Sequence, residues 1–186
     1  MSMGFRFGRS AGMEGSTGNL HDHPISPTNT DQIFTGDPVI LNAGFVEAFA
    51  AGAVVDTDIL GIFQGCKSIL PDGSVHYAQY WDGNPNQTNI MAQVSVAGSA
   101  STFLAELGIN GATAWADVMR GRRVGFTAAA GNTATGASGA YITNGAAAAA
   151  GPFVIRGPAD IPEYQSNRIW VEVGCARPQL GMAVVA

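Results

Sequence analysis

His21-Asp22-His23 is the nearest this chain comes to a metal-binding constellation. Two imidazoles and a carboxylate suit a transition metal. Residues two apart share a face only on an extended backbone, Pro24 follows at once, and no further ligand stands nearby in the sequence. A structural or solvated role is therefore expected, and no metal or cofactor is assigned. Asp56 and Asp58, in VVDTDIL, could be paired acids or a calcium-loop fragment, but they lack the spacing and terminal Glu of an EF-hand. They read as solvated residues leading into a strand. Gly131 to Gly136 spaces two glycines as a phosphate loop does, without the Lys-Ser/Thr pair or a helix behind it, and reads as a flexible loop. Ser138, in GASGA, lacks the flanks of a nucleophile elbow and has no obvious His or Asp partner. His76 reads as a strand residue rather than a base. No catalytic residue is assigned, and the chain is not expected to be an enzyme.

Tyr77, Tyr80 and Trp81 could form a sugar-stacking platform beside the Asn-rich loop Asn84–Asn89. On an unbroken strand, alternation puts Tyr77 and Trp81 on the face opposite Tyr80. Core packing on one face and cover on the other is the preferred reading. A carbohydrate-binding β-sandwich module of a phage or surface adhesin remains the alternative function.

The elements that must position these residues are short strands. Ile59 to Trp81 reads as two strands folded on Pro71-Asp72-Gly73, where Pro presets the first turn position and Gly accepts φ > 0. Its flanks carry Ile, Phe, Val, Tyr and Trp, which suit a half-buried pleated surface. Asp37 to Leu41 and Gly44 to Phe49 read as strands joined near Asn42-Ala43-Gly44. Ile90 to Val96 alternates apolar and polar residues with the period of a half-buried strand. Arg123 to Thr127, Ala140 to Thr143, Phe153 to Arg156 and Arg168 to Val173 are further strand candidates. Ser101 to Leu107 fits a capped helix or a strand, Ala112 to Met119 fits a helical turn or two, and Ala146 to Ala150 looks helical by propensity. Many short strands with Gly and Asn turns indicate a mainly β fold, a compact antiparallel β-barrel or β-sandwich.

Residues 1–33 have neither a strand nor a helix period and read as a long extended N-terminal arm on a body spanning 34–176, with a C-terminal tail over 177–186. Charged residues make up 12% of the chain, half of the usual ~25%. Lys67 is the one lysine, and Gly, Ala, Ser, Thr and Asn must cover much of the surface. Such residues lose little side-chain entropy against a neighbour, which suits permanent contacts. The net charge of −5 and the lack of a basic stripe argue against nucleic acid. Arg120, Arg122 and Arg123 read as a solvated turn or local ion pairs. No run reaches the roughly 18 apolar residues of a membrane span, and no apolar signal-peptide core follows Arg6 and Arg9. Cys66 and Cys175 read as buried thiols rather than a disulfide.

The series FTGDPVIL (Phe34–Leu41), ILGIFQG (Ile59–Gly65), the Pro-Asp-Gly turn and YAQYWDG (Tyr77–Gly83) resembles capsid decoration (cement) and related head proteins of tailed bacteriophages. A weaker likeness runs through TGASGAYI (Thr135–Ile142) and FVIRG…NRIWVEV (Phe153–Val173). Residues 1–33, the tail and Ala146–Ala150 depart from it. The resemblance implies a structural virion protein that binds the outer surface of an assembled capsid and stabilises it by bridging capsomers. It would be made in the host cytoplasm, with the major capsid protein and copies of itself, as a homotrimer or a dimer, as partners. Phe5, Phe7, Ile25 and Phe34 are the apolar anchors expected to reach a neighbour or the shell.

Overall fold

A computed structural model of the chain describes residues 4–10, 20–49, 58–97, 101–108, 115–143, 151–159 and 170–176. It is mainly β and antiparallel. The expected helical run Ala146–Ala150, the tail 177–186 and Asp56 lie outside the described residues.

The first half supplies β1 (Arg6–Ser10), β2 (Leu20–Pro24), β3 (Ile33–Phe34), β4 (Pro38–Asn42), β5 (Phe45–Ala48), β6 (Gly61–Ile69), β7 (Val75–Ala78), β8 (Tyr80–Trp81) and β9 (Thr88–Val96). The second half supplies β10 (Ser101–Glu106), β11 (Arg123–Val124), β12 (Phe126–Thr127), β13 (Tyr141–Ile142), β14 (Phe153–Pro158) and β15 (Trp170–Cys175). One sheet runs β1-β10-β15-β14-β11. The other runs β2-β9-β6-β4-β5, with β7 also paired to β6. Two small ribbons, β3-β8 and β12-β13, complete the set. Ser101 to Leu107 is thus a strand, because its neighbours β1 and β15 supply the backbone partners that a short helix would have to find internally. Over Ala112–Met119, the described part holds a single 3-10 turn, Asp117–Met119.

Both large sheets curl without closing into barrels. A single parallel bridge, Ile25 to Val46, brings the end of β2 round to β5. In the other sheet the bridge of Leu107 to Ile142 carries β10 round to β13. Each curl wraps its own core. Phe103, Leu107, Phe126, Ile142, Phe153 and Val173 fill one. Leu60, Phe63, Trp81, Ile90 and Val94 are in the other. Ile62 and Ser95 are cross-strand partners on the reverse of β6 and β9, and Ile62 packs into the first core, so this end of the sheet is buried on both faces. Full burial of each such side chain contributes on the order of 1.5–3 kcal/mol.

Turn chemistry sets the hairpins. Gly73 donates to the Leu70 carbonyl at 2.9 Å and has φ +83°, a tight turn with its glycine in the left-handed region, and Asp72 Oδ1 accepts from the Ser74 N–H at 2.9 Å. The β4–β5 turn uses Ala43 (φ +48°) and Gly44 (φ +87°), the pair of positive angles that matches strand twist.

The arm is corrected by the structure. β1 pairs in antiparallel register with β10, and β2 with β9, so residues 6–10 and 20–24 are members of the body's sheets. Phe5, expected to reach a neighbour, is 1% exposed, stacks on Phe153 at 4.7 Å and meets Phe126 edge-on at 6.0 Å. Ile25 is buried in the second core and Phe34 stacks on Tyr80 at 5.2 Å. The physical reason is unpaired strand edges: β10 and β9 each offer a row of backbone groups that the chain's own N-terminal segment satisfies. The side chain of Phe7 lies outside the described ones; its backbone stands opposite Phe103.

The two curls meet at residues 34–38. Asp37 accepts from the Phe34 N–H at 2.7 Å and from the Ser138 hydroxyl at 2.5 Å. Gly36 donates to the Phe63 carbonyl at 2.8 Å, and its own carbonyl accepts from the Phe5 N–H at 2.9 Å. Gly36 has φ +97°, and a side chain there would press on the Phe5 backbone at 3.0 Å. Burial raises the Asp37 pKa above the ordinary carboxylate range, against the lowering pull of the Ser138 and Phe34 hydrogen bonds.

Two outcomes follow for denaturant unfolding of the isolated protein. Phe5→Ala should cost about 3–5 kcal/mol, the range for a core phenylalanine, whereas an outward-reaching anchor would leave stability unchanged. Asp37→Ala should cost about 2–4 kcal/mol, since two donors lose their buried acceptor. Because folding raises the Asp37 pKa, its contribution is full below the unfolded value and is lost as pH rises through the folded value. The stability advantage of the natural chain over Asp37→Asn should therefore grow as pH falls from 7 to 4.

Candidate interaction surface

Cross-strand partners project to the same side of a sheet. In the second sheet, Cys66 and its partner Ala92 face the core, as do Ile90 and Val94. The residues between them face outward. Lys67 stands opposite Met91 on one side and Tyr77 on the other, and Asp22 stands opposite Gln93. Lys67 Nζ reaches over β9 to pair with Asp22, which confirms one common face across β2, β9, β6 and β7. Hydrogen bonding to Asp22 holds the Lys67 pKa above its ordinary value, helped by the charges of Asp22 and Tyr77.

Large apolar groups ring this ion pair. Tyr77 is 69% exposed, Val75 60% and Leu20 54%. Tyr77 and Val75 lie on the outward rows, Val75 through its partner Ile69, and Leu20 is on the same face at the sheet edge, in the row of Ser95 where the first core covers Ile62. Two edges flank the face. Among the described residues β2 pairs along its length only with β9, and β7 only with β6. β2 carries Asp22 and Pro24, which discourage added strands. β7, Val75-His76-Tyr77-Ala78, carries neither proline nor a carboxylate.

The strand that should have carried all three aromatics is broken. A bend at Gln79 separates β7 from β8, so Tyr77 and Trp81 do not share a face as an unbroken strand would require. Tyr77 is solvent-exposed, while Trp81 is 1% exposed and its indole N–H donates to the Asn29 carbonyl at 3.2 Å. Tyr80 is committed to Phe34. Asn84 Oδ1 accepts from the Asn86 N–H at 3.0 Å, which folds the Asn-rich loop on itself.

The other sequence candidates are structural. Asp22 projects outward, while His21 and His23 share the opposite side through partners Val94 and Ala92, so the trio does not converge. Burial and His21 hold the His23 pKa below its ordinary value, against the pull of Asp22. Ser138 Oγ donates to Asp37 and accepts the Ala140 N–H at 2.9 Å. The Gly131–Gly136 segment, expected to be flexible, is closed by hydrogen bonds: Asn132 receives Gly136 N–H at 2.7 Å and gives its own N–H to Ala137 at 2.8 Å. Arg120 donates to the Arg156 carbonyl at 3.1 Å and Arg123 to the Gly151 carbonyl at 3.1 Å, which makes this cluster local scaffolding. Asp58 sits at the start of the strand region, half-buried. His76 is an exposed strand residue.

Cys66 and Cys175 are free thiols. Burial, with the negative charge of Asp82, pushes Cys66 up to about 12, and its thiol donates to the Tyr80 carbonyl at 3.6 Å. In a Cys175→Ser variant at pH 8, Ellman's reagent should find no reactive thiol until urea is added, and then one. Since the folded pKa exceeds the unfolded one, Cys66 favours the fold fully below pH 9 and progressively less above it.

No known family matches this chain, and the searches of curated proteins and of solved structures likewise returned no match.

Proposed function

We propose that this protein is a structural binder that docks on an ordered protein surface, the outer face of an assembled bacteriophage capsid, and stabilises the assembly by bridging its subunits. The observation that carries the proposal is the outward face of the second sheet. Leu20, Val75 and Tyr77 stand on one side of four adjacent strands, around the Lys67–Asp22 ion pair. Exposed Tyr beside aliphatic groups is the composition of an interface centre, and an ion pair among them gives orientation. The charge-poor composition and the likeness of Phe34–Gly83 to decoration proteins support the same reading.

Binding to the assembled shell and not to its dissociated parts would stabilise the shell by mass action. The free edge of β7 offers backbone donors and acceptors for an added strand from the capsid protein. Arm residues enter this mechanism differently from the sequence expectation: Phe5, Ile25 and Phe34 hold the body together, and the body presents the contact. The carbohydrate reading loses the platform that motivated it, because Trp81 is buried and Tyr80 is stacked.

Co-sedimentation with purified shells tests the proposal. Tyr77→Asp and Val75→Asp, both on exposed positions, should leave the melting temperature nearly unchanged. Each should weaken shell binding about tenfold or more, the loss expected at the centre of an interface. Full binding by both variants, or failure of the natural chain to bind shells, would sink the reading.

A further inference from the structure

Asp37, the carboxylate at the seam, is held by neutral partners. Its oxygens accept from the Phe34 N–H at 2.7 Å and from the Ser138 hydroxyl at 2.5 Å. An ionised carboxylate has about four lone-pair positions, so about two remain for a further donor. Burial raises its pKa, and the two hydrogen bonds only partly oppose the rise, so the ionised form is left short of stabilisation.

Asp37 also lines a cleft of about 320 Å³ between the start of β4, the end of β5 and the segment that follows β12. About ten waters would fill that space, which lies in the size range of small-molecule sites. Phe34, Phe49 and Phe126 are its apolar walls. These three keep 5–7% exposure, while Phe5, Phe63, Phe103 and Phe153 keep 1% or none, so the aromatic core reaches solvent at this cleft. Gln32 stands at the rim, and the described lining carries no Lys, Arg or His.

The walls are fixed by the fold itself. The Phe49 N–H donates to the Pro38 carbonyl at 3.0 Å and ties the end of β5 to the start of β4. Gly131 lies so close to Phe34 that a Cβ there would stand 2.3 Å from the ring. Walls that need no ordering lower the cost of binding. An apolar slot that meets one carboxylate suits a ligand with an apolar stem and a cationic end. The unused lone-pair positions call for N–H donors, and charge-assisted hydrogen bonds are the strong ones.

We propose that this cleft binds a primary alkylammonium group, with the nitrogen donating to the Asp37 carboxylate and the stem against Phe34, Phe49 and Phe126. A free aliphatic amine and a lysine side chain both carry that group. Leu20, Lys67, Val75 and Tyr77 do not line the cleft, so this binding and the proposed shell docking are separable functions.

The test is NMR titration of the ¹⁵N-labelled full chain at pH 8, where an alkylamine with a pKa of about 10.4, the value for lysine, is protonated. n-Butylammonium should shift the backbone amide signals of Phe34 and Gly131. It should bind at least tenfold more tightly than n-butanol, which lacks the charge, ammonium chloride, which lacks the stem, or tetramethylammonium, which lacks N–H donors. Asp37→Asn should raise the n-butylammonium Kd at least tenfold. Gln32→Lys, at an exposed position, should raise it at least threefold with the melting temperature unchanged, and it is the deciding variant should Asp37→Asn fail to fold. Nα-acetyl-lysine methylamide separates the two sources: tighter binding than n-butylammonium supports a protein lysine as the natural occupant, and weaker binding supports a free amine. The proposal is overturned by the absence of n-butylammonium binding, by any of the other three small probes binding equally well, or by unchanged affinity in the folded variants. Loss of shell binding with intact n-butylammonium binding would count against the docking proposal alone.

Discussion

The carboxylate of Asp37 is the interaction on which the rest of this structure depends. It gathers the Phe34 N–H and the Ser138 hydroxyl from segments about a hundred residues apart in the chain. Backbone bonds from Gly36 to Phe63, from Phe63 to Asp37 and from Phe5 to Gly36 converge on the same few residues. Removing a carboxylate from water is costly, and the raised pKa records that cost. Two short hydrogen bonds offset part of it and fix how the curled sheets meet. A hydrophobic contact there would be non-directional and would not set their orientation.

That seam divides the molecule into surfaces with different work. Behind it, Phe5, Phe49, Phe126 and Phe153 form a continuous aromatic cluster. In front, at the far end of the second sheet, Leu20, Val75 and Tyr77 are exposed. A sheet ordinarily covers an apolar face with another layer. Here one face is covered by the core, and the other carries exposed apolar side chains.

Much of the strand inventory was legible in the sequence. The alternation of Ile90–Val96 survives in β9, and the Pro71-Asp72-Gly73 turn closes β6 on β7. These are local signals: a period of two and a residue able to take φ > 0. The arm was misread because β1 and β2 carry no period of their own; their strand state is dictated by the open edges of β10 and β9. The bend at Gln79 was invisible for a related reason. Nothing local breaks VHYAQYW, but Trp81 turns inward to pack in the second core and to reach the Asn29 carbonyl. The β-bulge that β6 makes at Gln64, between Phe63 and Gly65, gave no signal either, since a bulge is defined by the register of the partner strand.

By itself the sequence determined a mainly β, charge-poor chain with tight glycine turns, because periodicity, propensity and composition are properties of neighbours along the chain. Only the tertiary structure decided which apolar residues are core and which are surface. Phe5 and Ile25 look like free anchors as letters, yet they fill space behind the sheets, while Tyr77 and Val75 lie in a strongly apolar hairpin and remain exposed. Burial depends on which segments meet across the seam at Asp37, and that meeting is a long-range matter of strand edges and buried hydrogen bonds.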